Sequence, residues 1–462
     1  MEGRIAPLAI PTPAEVSAAV EAITGGKVSE IKRQNRWRPT WFVDVKRDGA
    51  VLPLVVRGDR FDASSLPLSH EYSFHRLLLD RGIRVAPLHG FHRIGDLDVI
   101  LMDRVPGKPD FDDVEAEGRD TVVDEYLQQL AAIHSLDPAP FLDAGIRAPP
   151  PGDNPAVIEH RQRAARFRAA KTGPEPFAEF CLGWLARHEP TGVRPAVPCL
   201  LDTGQFHHAN GHLVAILDLE FGQLGDPMVD LAVWRMRDTL IPYGDMRRLY
   251  ARYEALRGEP VDLDAIKWRH FAAAAANALM FGPAVAAPQP ETDLMTYMQW
   301  NSETNLMATD FLGEELGIEL PAVEPPPVAP SRDNVTFAHM ARQLQAAAIG
   351  DEAAAHQVRL CFRMARHLHR RSEIGAELDR QDIDDAHELL GRRPADWRDA
   401  AVQLEAFVLA DAAVGRHDAD LTRLFHKRNL RAHMALGPAG SSMTRHYQCQ
   451  RFDGQPARVV QL

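Results

Sequence analysis

The sequence predicts an α+β protein in which a small, strand-rich N-terminal unit precedes a mainly helical remainder. Segments with strand character are concentrated in the first 103 of the 462 residues, apart from one later hairpin. Helical apolar spacing dominates after that point. The proline-rich segment 321–330 then separates a last region with helical patterns only. We therefore predict domains at 1–103, 104–320 and 331–462, of which the last two are joined by this linker.

The N-terminal unit begins with a well-signalled helix. Thr12 and Glu15 form a capping-box pattern, Pro13 occupies the first helical position, and Gly25-Gly26 stops the run. Segments rich in β-branched and aromatic residues follow, together with a second helix of amphipathic spacing. The predicted strands are Trp41–Val45, Val51–Arg57 and Leu97–Met102, and the predicted second helix is Ser69–Leu79.

The remainder of the chain is helical in pattern, with one strong exception. Asn210-Gly211 is typical of a two-residue hairpin turn, with His212–Leu217 as the return strand. The long apolar segment Phe271–Ala287 is rich in alanine and interrupted by glycine and proline, so it predicts a buried helix rather than a membrane span. The clearest helical patterns elsewhere are Val122–Ile133, Ala353–Arg370, Asp382–Leu390 and Ala400–Ala413.

The composition excludes several classes of function. Lys and Arg total 52 against 64 Asp and Glu, a net charge of −12, which is a poor match to nucleic acid or an anionic membrane. The four cysteines are far apart and form no C-x-x-C pair, which argues against a zinc ribbon or a disulfide framework. The N-terminal apolar stretch is too short for a signal peptide. We therefore expect a cytoplasmic protein that binds neither nucleic acid nor membrane.

One stretch, Ile216-Leu-Asp-Leu-Glu-Phe-Gly-Gln-Leu-Gly-Asp-Pro-Met-Val-Asp230, combines carboxylates with the end of an apolar strand. Asp218 follows the strand and is a candidate Mg²⁺ ligand, because Mg²⁺ prefers one or two carboxylates plus phosphate oxygens. Asp226 and Asp230 would organise the loop and the start of the next helix. The alternative interpretation is that Asp218 and Asp230 are helix caps or ion-pair partners.

This stretch resembles the D-W-E…G-D-P…D-L-A motif of the aminoglycoside phosphotransferase and choline kinase superfamily, in particular the branch found with acyl-CoA dehydrogenases. The resemblance spans roughly residues 15–320. It implies a protein-kinase-like two-lobe fold, with a five-stranded N-lobe sheet and a mainly helical C-lobe, followed here by an all-helical extension. It also implies ATP and Mg²⁺ as cofactors and transfer of the γ-phosphate to the hydroxyl of a small molecule. The branch suggests a hydroxyacyl-CoA or another catabolic intermediate as that molecule.

The resemblance assigns nucleotide-binding roles to five residues. Gly25 and Gly26 fall near the position of a phosphate-covering loop. Arg57 replaces the Lys that contacts ATP phosphates, which keeps the charge but changes the geometry. Glu71 opens the following helix as the partner of Arg57, and Met102 lies in the hinge whose backbone would hold adenine. The residues by themselves are also compatible with a helix stop at Gly25-Gly26 and with surface charges at Arg57 and Glu71.

The catalytic loop departs from the family pattern H-x-D-x-x-x-x-N, in which the Asp takes the acceptor's proton and the Asn binds metal. In one alignment Thr203-Gly204-Gln205 replaces His-Gly-Asp, and Asn210 stays on the metal. In the other, which we prefer because Asn-Gly is a strong hairpin turn, Gln205 takes the Asn position and Leu200 the Asp position. Asp202 is then either a displaced catalytic base on a shortened loop or a turn residue.

Two hypotheses about function follow. In the first, the chain is an ATP- and Mg²⁺-dependent phosphotransferase, with Asp218 and Gln205 on the metal and Asp202 as base. In the second, it is a catalytically inactive kinase-fold protein that binds nucleotide or a partner. The basic patch 32–38 would meet phosphate groups or protect a strand edge. The C-terminal helices would cover the C-lobe or form a homodimer interface.

Overall fold

The computed structural model describes residues 10–34, 38–59, 66–289, 292–329, 331–437, 445–452 and 459–461. The chain forms two compact units. Unit 1 comprises Met1–Asp153, Arg194–Arg237 and Ile241–Val261, and unit 2 comprises Asn154–Val193, Asp238–Leu240 and Asp262–Leu462. The domain boundaries proposed above stay a prediction.

Unit 1 begins with a helix and a five-stranded antiparallel sheet whose strand order is β1-β2-β3-β5-β4. The elements in chain order are α1 (Pro13–Thr24), β1 (Lys27–Gln34), β2 (Thr40–Arg47), β3 (Ala50–Gly58), α2 (Leu68–Leu79), β4 (Leu88–Ile94) and β5 (Leu97–Asp103). The capping box predicted for α1 is present: the Thr12 N–H donates to Glu15 Oε2 at 2.7 Å, and Thr12 Oγ1 accepts from the Glu15 N–H.

The core of this sheet forms between one of its faces and helix α1. Val16 and Val20 of α1 are fully buried against alternate residues of the strands, as expected when one face of a sheet is covered. The strand residues in this cluster are Trp41, Val43, Val45, Leu54, Val56, Ile94, Leu97, Val99 and Leu101. The packed sheet gives β3 and β5 a fixed frame, and β3 carries Arg57 near its end.

The rest of the chain is mainly helical, which confirms the predicted α+β class. In chain order the elements are α3 (Ala116–His134), α4 (Ala139–Asp143), α5 (Ile158–Ala170), α6 (Pro176–Arg187), β6 (Val197–Cys199), β7 (Phe206–Ala209), β8 (His212–Ile216), β9 (Gln223–Gly225), α7 (Met228–Arg237), α8 (Met246–Arg257), α9 (Leu263–Ala286), α10 (Leu294–Glu315), α11 (Asn334–Ala346), α12 (Glu352–Leu390), α13 (Trp397–Asp411), α14 (Asp418–Leu436), β10 (Arg445–Tyr447) and β11 (Val459–Gln461).

Unit 2 consists of α5, α6 and α9–α14 with the short β10–β11 pair. Helices α10 and α14 are joined by two buried polar contacts: Ser302 Oγ lies 3.0 Å from His433 Nδ1, and Thr309 Oγ1 lies 2.9 Å from His426 Nδ1. On each helix the two contacting residues are seven positions apart, so the two contacts lie on one face of the helix. Together they fix the register of α10 against α14.

The proline-rich segment packs along α12. Val323 packs against the cluster formed by Ile374, Leu378, Met434 and Ala435, and the Ala329 N–H donates to the Glu373 carbonyl at 3.0 Å. Helix α12 runs unbroken from Glu352 to Leu390, where the sequence pattern predicts two shorter helices. Among the residues that the structure describes, no helix combines the length and the apolar character that a bilayer span requires.

Candidate functional site

Asp218 follows strand β8 directly, as the sequence predicts. Its φ is +56°, in the left-handed region that Asp tolerates better than most residues do. The preceding Leu217 N–H donates to the Gln205 carbonyl at 2.9 Å, which ties this bend to the loop before β7. The Asp218 side chain is 30% exposed, so a ligand can reach it.

Arg57 and Glu71 form a buried ion pair between the sheet and helix α2. Arg57 Nε lies 2.7 Å from Glu71 Oε1. Arg57 Nη2 lies 2.6 Å from Asp218 Oδ1 and 3.4 Å from Glu220 Oε2. The planar guanidinium presents donors in several directions, so one side chain connects β3, α2 and the segment after β8. A lysine could not make all of these contacts with the same geometry.

A second buried arginine completes this cluster. Arg38 Nη1 lies 3.0 Å from Glu71 Oε2 and also 3.0 Å from Glu220 Oε2, and Arg38 is 3% exposed. Arg38 ends the predicted basic patch, of which residues 35–37 lie outside the described residues. The sequence analysis places Arg38 in the basic patch and Glu220 in the motif after the strand, but it does not predict that the two pair, because nothing local distinguishes a buried arginine from an exposed one.

The charges of this cluster stabilise one another. Burial alone would lower the pKa of Arg57, but Glu71, Asp218 and Glu220 more than offset it and raise that pKa above its ordinary value. Burial alone would raise the pKa of Asp218, but Arg57 offsets this effect and the pKa is lowered. Both groups are therefore charged at neutral pH, and the site is electrostatically organised before any ligand binds.

The structure also brings Asp202 and Gln205 to Asp218. Gln205 Nε2 donates to Asp202 Oδ2 and, at 3.2 Å, to Asp218 Oδ2. Asp202 forms an ion pair with Arg237, the last residue of α7. Burial raises the pKa of Asp202, and Arg237 offsets only part of this effect. Two carboxylates thus converge on one amide, with an arginine on the far side of each.

The β7–β8 hairpin favours the second of the two alignments. Asn210 and Gly211 have φ of +52° and +76°, as a two-residue type I′ turn requires, and Ala209 pairs with His212 across it. Gln205, not Asn210, contacts Asp218. Leu200, which this alignment places at the usual catalytic Asp position, is buried.

The hairpin gives a test that separates the two alignments. Gly211→Ala should lower the free energy of unfolding by about 1–2 kcal/mol, because the Cβ of alanine is sterically crowded in the left-handed conformation. Asn210→Gly should be nearly neutral in urea unfolding and should leave Mg²⁺-dependent nucleotide binding unchanged. If Asn210→Gly removed that binding while the protein stayed folded, Asn210 rather than Gln205 would be the metal ligand.

Gly25 and Gly26 are not brought to this cluster. Gly25 ends α1 with φ of +69°, and a Cβ on Gly26 would lie 2.8 Å from the Lys46 carbonyl at the end of β2. Thr40, at the other end of β2, is the residue that pairs with Arg57. The six steps between those ends of β2 span roughly 20 Å. Gly25 and Gly26 are therefore not part of the cluster around Arg57 and Asp218.

Met102 lies on the inner strand β5, beside β3, which carries Arg57. The two backbone N–H groups after it are used within unit 1: Asp103 donates to the Pro87 carbonyl and Arg104 to the Pro53 carbonyl, both at 2.9 Å. These two N–H groups are therefore not available as backbone donors to an adenine ring.

The buried carboxylate of Asp230 binds the backbone of the loop that precedes Asp202. Asp230 accepts the N–H groups of Leu200 and Leu201, both at 2.7 Å, and lies 3.0 Å from His134 Nε2. The ligand atoms of His134, Cys199 and Asp230 lie within 4.8 Å of one another. Because both oxygens of Asp230 already accept backbone N–H groups, we interpret this cluster as a structural support for the loop rather than a metal site.

The donor set around Gln205 fits a hard divalent cation such as Mg²⁺. The amide nitrogen stands where one oxygen of Asp202 and one of Asp218 converge. Two carboxylates and one amide supply only oxygen ligands when the amide presents its carbonyl, and Mg²⁺ prefers such ligands. In each carboxylate the other oxygen contacts an arginine.

Comparison with known proteins places this cluster within a recognised family region. The family model described as the phosphotransferase enzyme family matches residues 31–275, more than half of the chain. A mouse protein, acyl-CoA dehydrogenase family member 10, is 31% identical over 141 residues, which cover 29% of this chain and 13% of the mouse protein. The chain thus spans only a small part of that curated relative.

Solved structures are similar to this chain at low sequence identity. A candidate aminoglycoside phosphotransferase from Ralstonia eutropha JMP134 has a TM-score of 0.50 and 16% identity, over 64% of this chain and 96% of that chain. The macrolide 2′-phosphotransferase MphH from Brachybacterium faecium has a TM-score of 0.43 and 17% identity, over 59% and 93% of the two chains. The first similarity confirms the predicted protein-kinase-like fold.

Proposed function

Since this chain belongs to the phosphotransferase enzyme family, we propose that it transfers the γ-phosphate of ATP to a hydroxyl group of a small molecule. The observation that supports this best is the convergence of Asp202, Gln205 and Asp218 beside Arg57. Phosphoryl transfer depends mainly on positioning and on charge stabilisation, and this cluster supplies carboxylates, an amide and a cation within one small region.

Arg57 would bind the phosphates of the nucleotide. Glu71 holds its Nε, so the guanidinium keeps its direction while Nη2 exchanges Asp218 for a phosphate oxygen. Arg38 holds the second oxygen of Glu71 and thus fixes the residue that fixes Arg57. We expect the contribution of Arg38 to be indirect, because the side chain is buried behind Glu71 and Glu220.

Asp218 and Gln205 would hold Mg²⁺, which when bound neutralises charge on the transferring phosphate. Asp202 would orient the acceptor hydroxyl and take its proton as the oxygen bonds to the γ-phosphorus and ADP leaves. Its side chain is 25% exposed, so an acceptor can approach it. Gln205 would keep Asp202 and Asp218 at a fixed separation in the absence of the metal.

A second candidate function is nucleotide binding without transfer. Leu200 is buried at the position that the family pattern gives to the catalytic Asp, and Asp202 is already paired with Arg237. If that pair blocks Asp202 from an acceptor, the site would still bind Mg²⁺ and nucleotide through Asp218, Gln205 and Arg57. The chain would then act through a partner rather than through turnover.

The nature of the acceptor rests on the mouse relative alone. Its name associates it with acyl-CoA dehydrogenases, and on that basis we propose a hydroxyacyl-CoA or another catabolic intermediate as the substrate class. The alignment covers 13% of that protein, so the proposal concerns the shared segment only. A homodimer through the C-terminal helices stays a prediction, as does a cytoplasmic location.

A thermal-shift titration with ATP, with and without Mg²⁺, tests the proposal, together with an assay of ADP release in the presence of hydroxylated acceptors. A ligand at about 100 times its Kd should stabilise the native state by about 2.7 kcal/mol, which is a readily measured shift. Mg²⁺-dependent stabilisation with ADP release supports the phosphotransferase, and stabilisation without ADP release supports the second candidate. No stabilisation at millimolar ATP would contradict both.

A further inference from the structure

Asp202 stands closer along the chain to Gln205 than the Asp of the family pattern stands to its Asn. In H-x-D-x-x-x-x-N the Asp stands five residues before the metal-binding Asn, whereas Asp202 stands three residues before Gln205. A carboxylate moved along the chain by two residues will not reach the same place unless the loop takes a different path. The described contacts of Asp202–Gln205 show what holds that path.

Arg237 contacts this loop at two points. Its Nη2 pairs with Asp202 Oδ1, and its Nε donates to the Thr203 carbonyl at 3.0 Å. One guanidinium therefore fixes both the side chain of Asp202 and the backbone that follows it. The two oxygens of Asp202 are divided in consequence: Oδ1 faces Arg237, and Oδ2 faces Gln205.

Gly204 allows the loop to close onto this arginine. Its φ is +88°, and a Cβ there would lie 2.8 Å from Tyr243 Oη, 2.9 Å from Trp234 Cδ1 and 3.0 Å from Arg237 Cδ. The Gly204 N–H donates to Tyr126 Oη at 2.8 Å, and Tyr243 Oη donates to the Gly204 carbonyl at 2.7 Å. Two buried tyrosines thus satisfy the backbone of the glycine while Arg237 holds the residues before it.

We infer that Arg237 is a positioning residue, which holds the Asp202 carboxylate against Gln205, the residue that also contacts Asp218. Arg237 so compensates for the shorter spacing between Asp202 and Gln205. The inference rests on the proposed function, because it assigns Asp202 the role of orienting the acceptor. It also differs from the blocking role considered above: Arg237 takes one oxygen of Asp202 and leaves the other toward the site. Arg237 acts through Asp202 and has no contact with the reacting atoms.

The test compares Arg237→Met, Arg237→Lys, Asp202→Asn and the double variant Arg237→Met/Asp202→Asn. The matched control is Arg252→Met, which removes an exposed ion pair between Arg252 on α8 and Asp124 on α3. The probe is Mg²⁺·ATP with water as the acceptor, followed by ADP release, and stabilisation by Mg²⁺·ADP is measured on each variant. Urea unfolding shows which variants are folded, and Arg237→Lys keeps the test usable if Arg237→Met is not.

We expect Arg237→Met to lower kcat by about 10²-fold, the effect of misplacing a catalytic group by about 1 Å, with the KM for ATP and the Mg²⁺·ADP stabilisation unchanged. Arg237→Lys should recover part of kcat, since an ammonium can pair with Asp202 but cannot also reproduce the fork. In the Asp202→Asn background, Arg237→Met should have no further effect.

Three results would overturn the inference. One is a kcat for Arg237→Met within twofold of wild type while Asp202→Asn is impaired. Another is an equal loss of kcat from Arg237→Met with and without Asp202, which would mean that the arginine acts on its own. The third is a rise in kcat on removal of Arg237, as the blocking role requires. Absence of ADP release from the wild-type protein would instead contradict the proposed function itself.

Discussion

Replacing Asp218 by asparagine should lower kcat by about 10³-fold or more and remove the Mg²⁺ dependence of nucleotide binding. The substitution removes a carboxylate that lies 2.6 Å from Arg57 and accepts from Gln205 at 3.2 Å, the two contacts that define the proposed metal and phosphate positions. Stabilisation of developing charge by one well-placed group is commonly worth 10²–10³-fold in rate, and a metal ligand adds to that. Asparagine keeps the shape and tolerates the left-handed φ of this position.

The matched control is Asp48→Asn. Asp48 also has a left-handed φ, of +53°, but its side chain is 93% exposed at a turn of the sheet. Both variants therefore change an aspartate in the same backbone conformation, and only one changes the site. The readouts are ADP release and the thermal shift with ATP at several Mg²⁺ concentrations. A Mg²⁺ response that survives Asp218→Asn unchanged would refute the assignment of Asp218 as a metal ligand.

The sequence pattern identified the inner strands of the sheet and missed its edges. In β2 the residues alternate between buried and part-buried positions, and the apolar set recurs at every second residue. The two missed strands, β1 and β4, are the edges of the order β1-β2-β3-β5-β4. An edge strand such as β1 (KVSEIKRQ) is largely polar, because it is paired on one side only and protects the other with charge. Its assignment as a strand therefore depends on its backbone pairing with β2, which the local sequence pattern does not show.

Some residues of the site can likewise be predicted from local sequence, whereas others depend on contacts between distant parts of the chain. Asp218 is identifiable because it stands in a motif, and Gln205 because the hairpin turn at Asn210-Gly211 decides which alignment is preferred; both signals are local in sequence. Arg38 and Arg237 lie far along the chain from the carboxylates that they pair with, Glu71 and Asp202. Their roles arise from burial and from the packing of separate elements, and no spacing rule in a single sequence encodes a contact of that kind.

The largest effect on stability is expected for Asp230→Ala. Its carboxylate is fully buried and accepts two backbone N–H groups at 2.7 Å, and each unsatisfied buried donor costs about 1–3 kcal/mol. One of those donors belongs to Leu201, which has a left-handed φ of +61°. This conformation is already strained in the wild-type protein, so the strain does not add to the loss of stability. We expect the free energy of unfolding to fall by about 3–5 kcal/mol in urea titrations.

Asp245→Ala is the matched control, because Asp245 also accepts two backbone N–H groups, those of Arg247 and Arg248, but at the exposed start of α8. Loss of such a cap costs only about 1 kcal/mol. The difference between the two variants therefore measures burial rather than hydrogen-bond number. Hydrogen exchange should rise at residues 199–204 in Asp230→Ala alone, because the strained Leu201 is released directly beside Asp202. Equal losses of stability in both variants would show that Asp230 is an ordinary cap. The position of Asp202 would then be set by Arg237 without a contribution from Asp230.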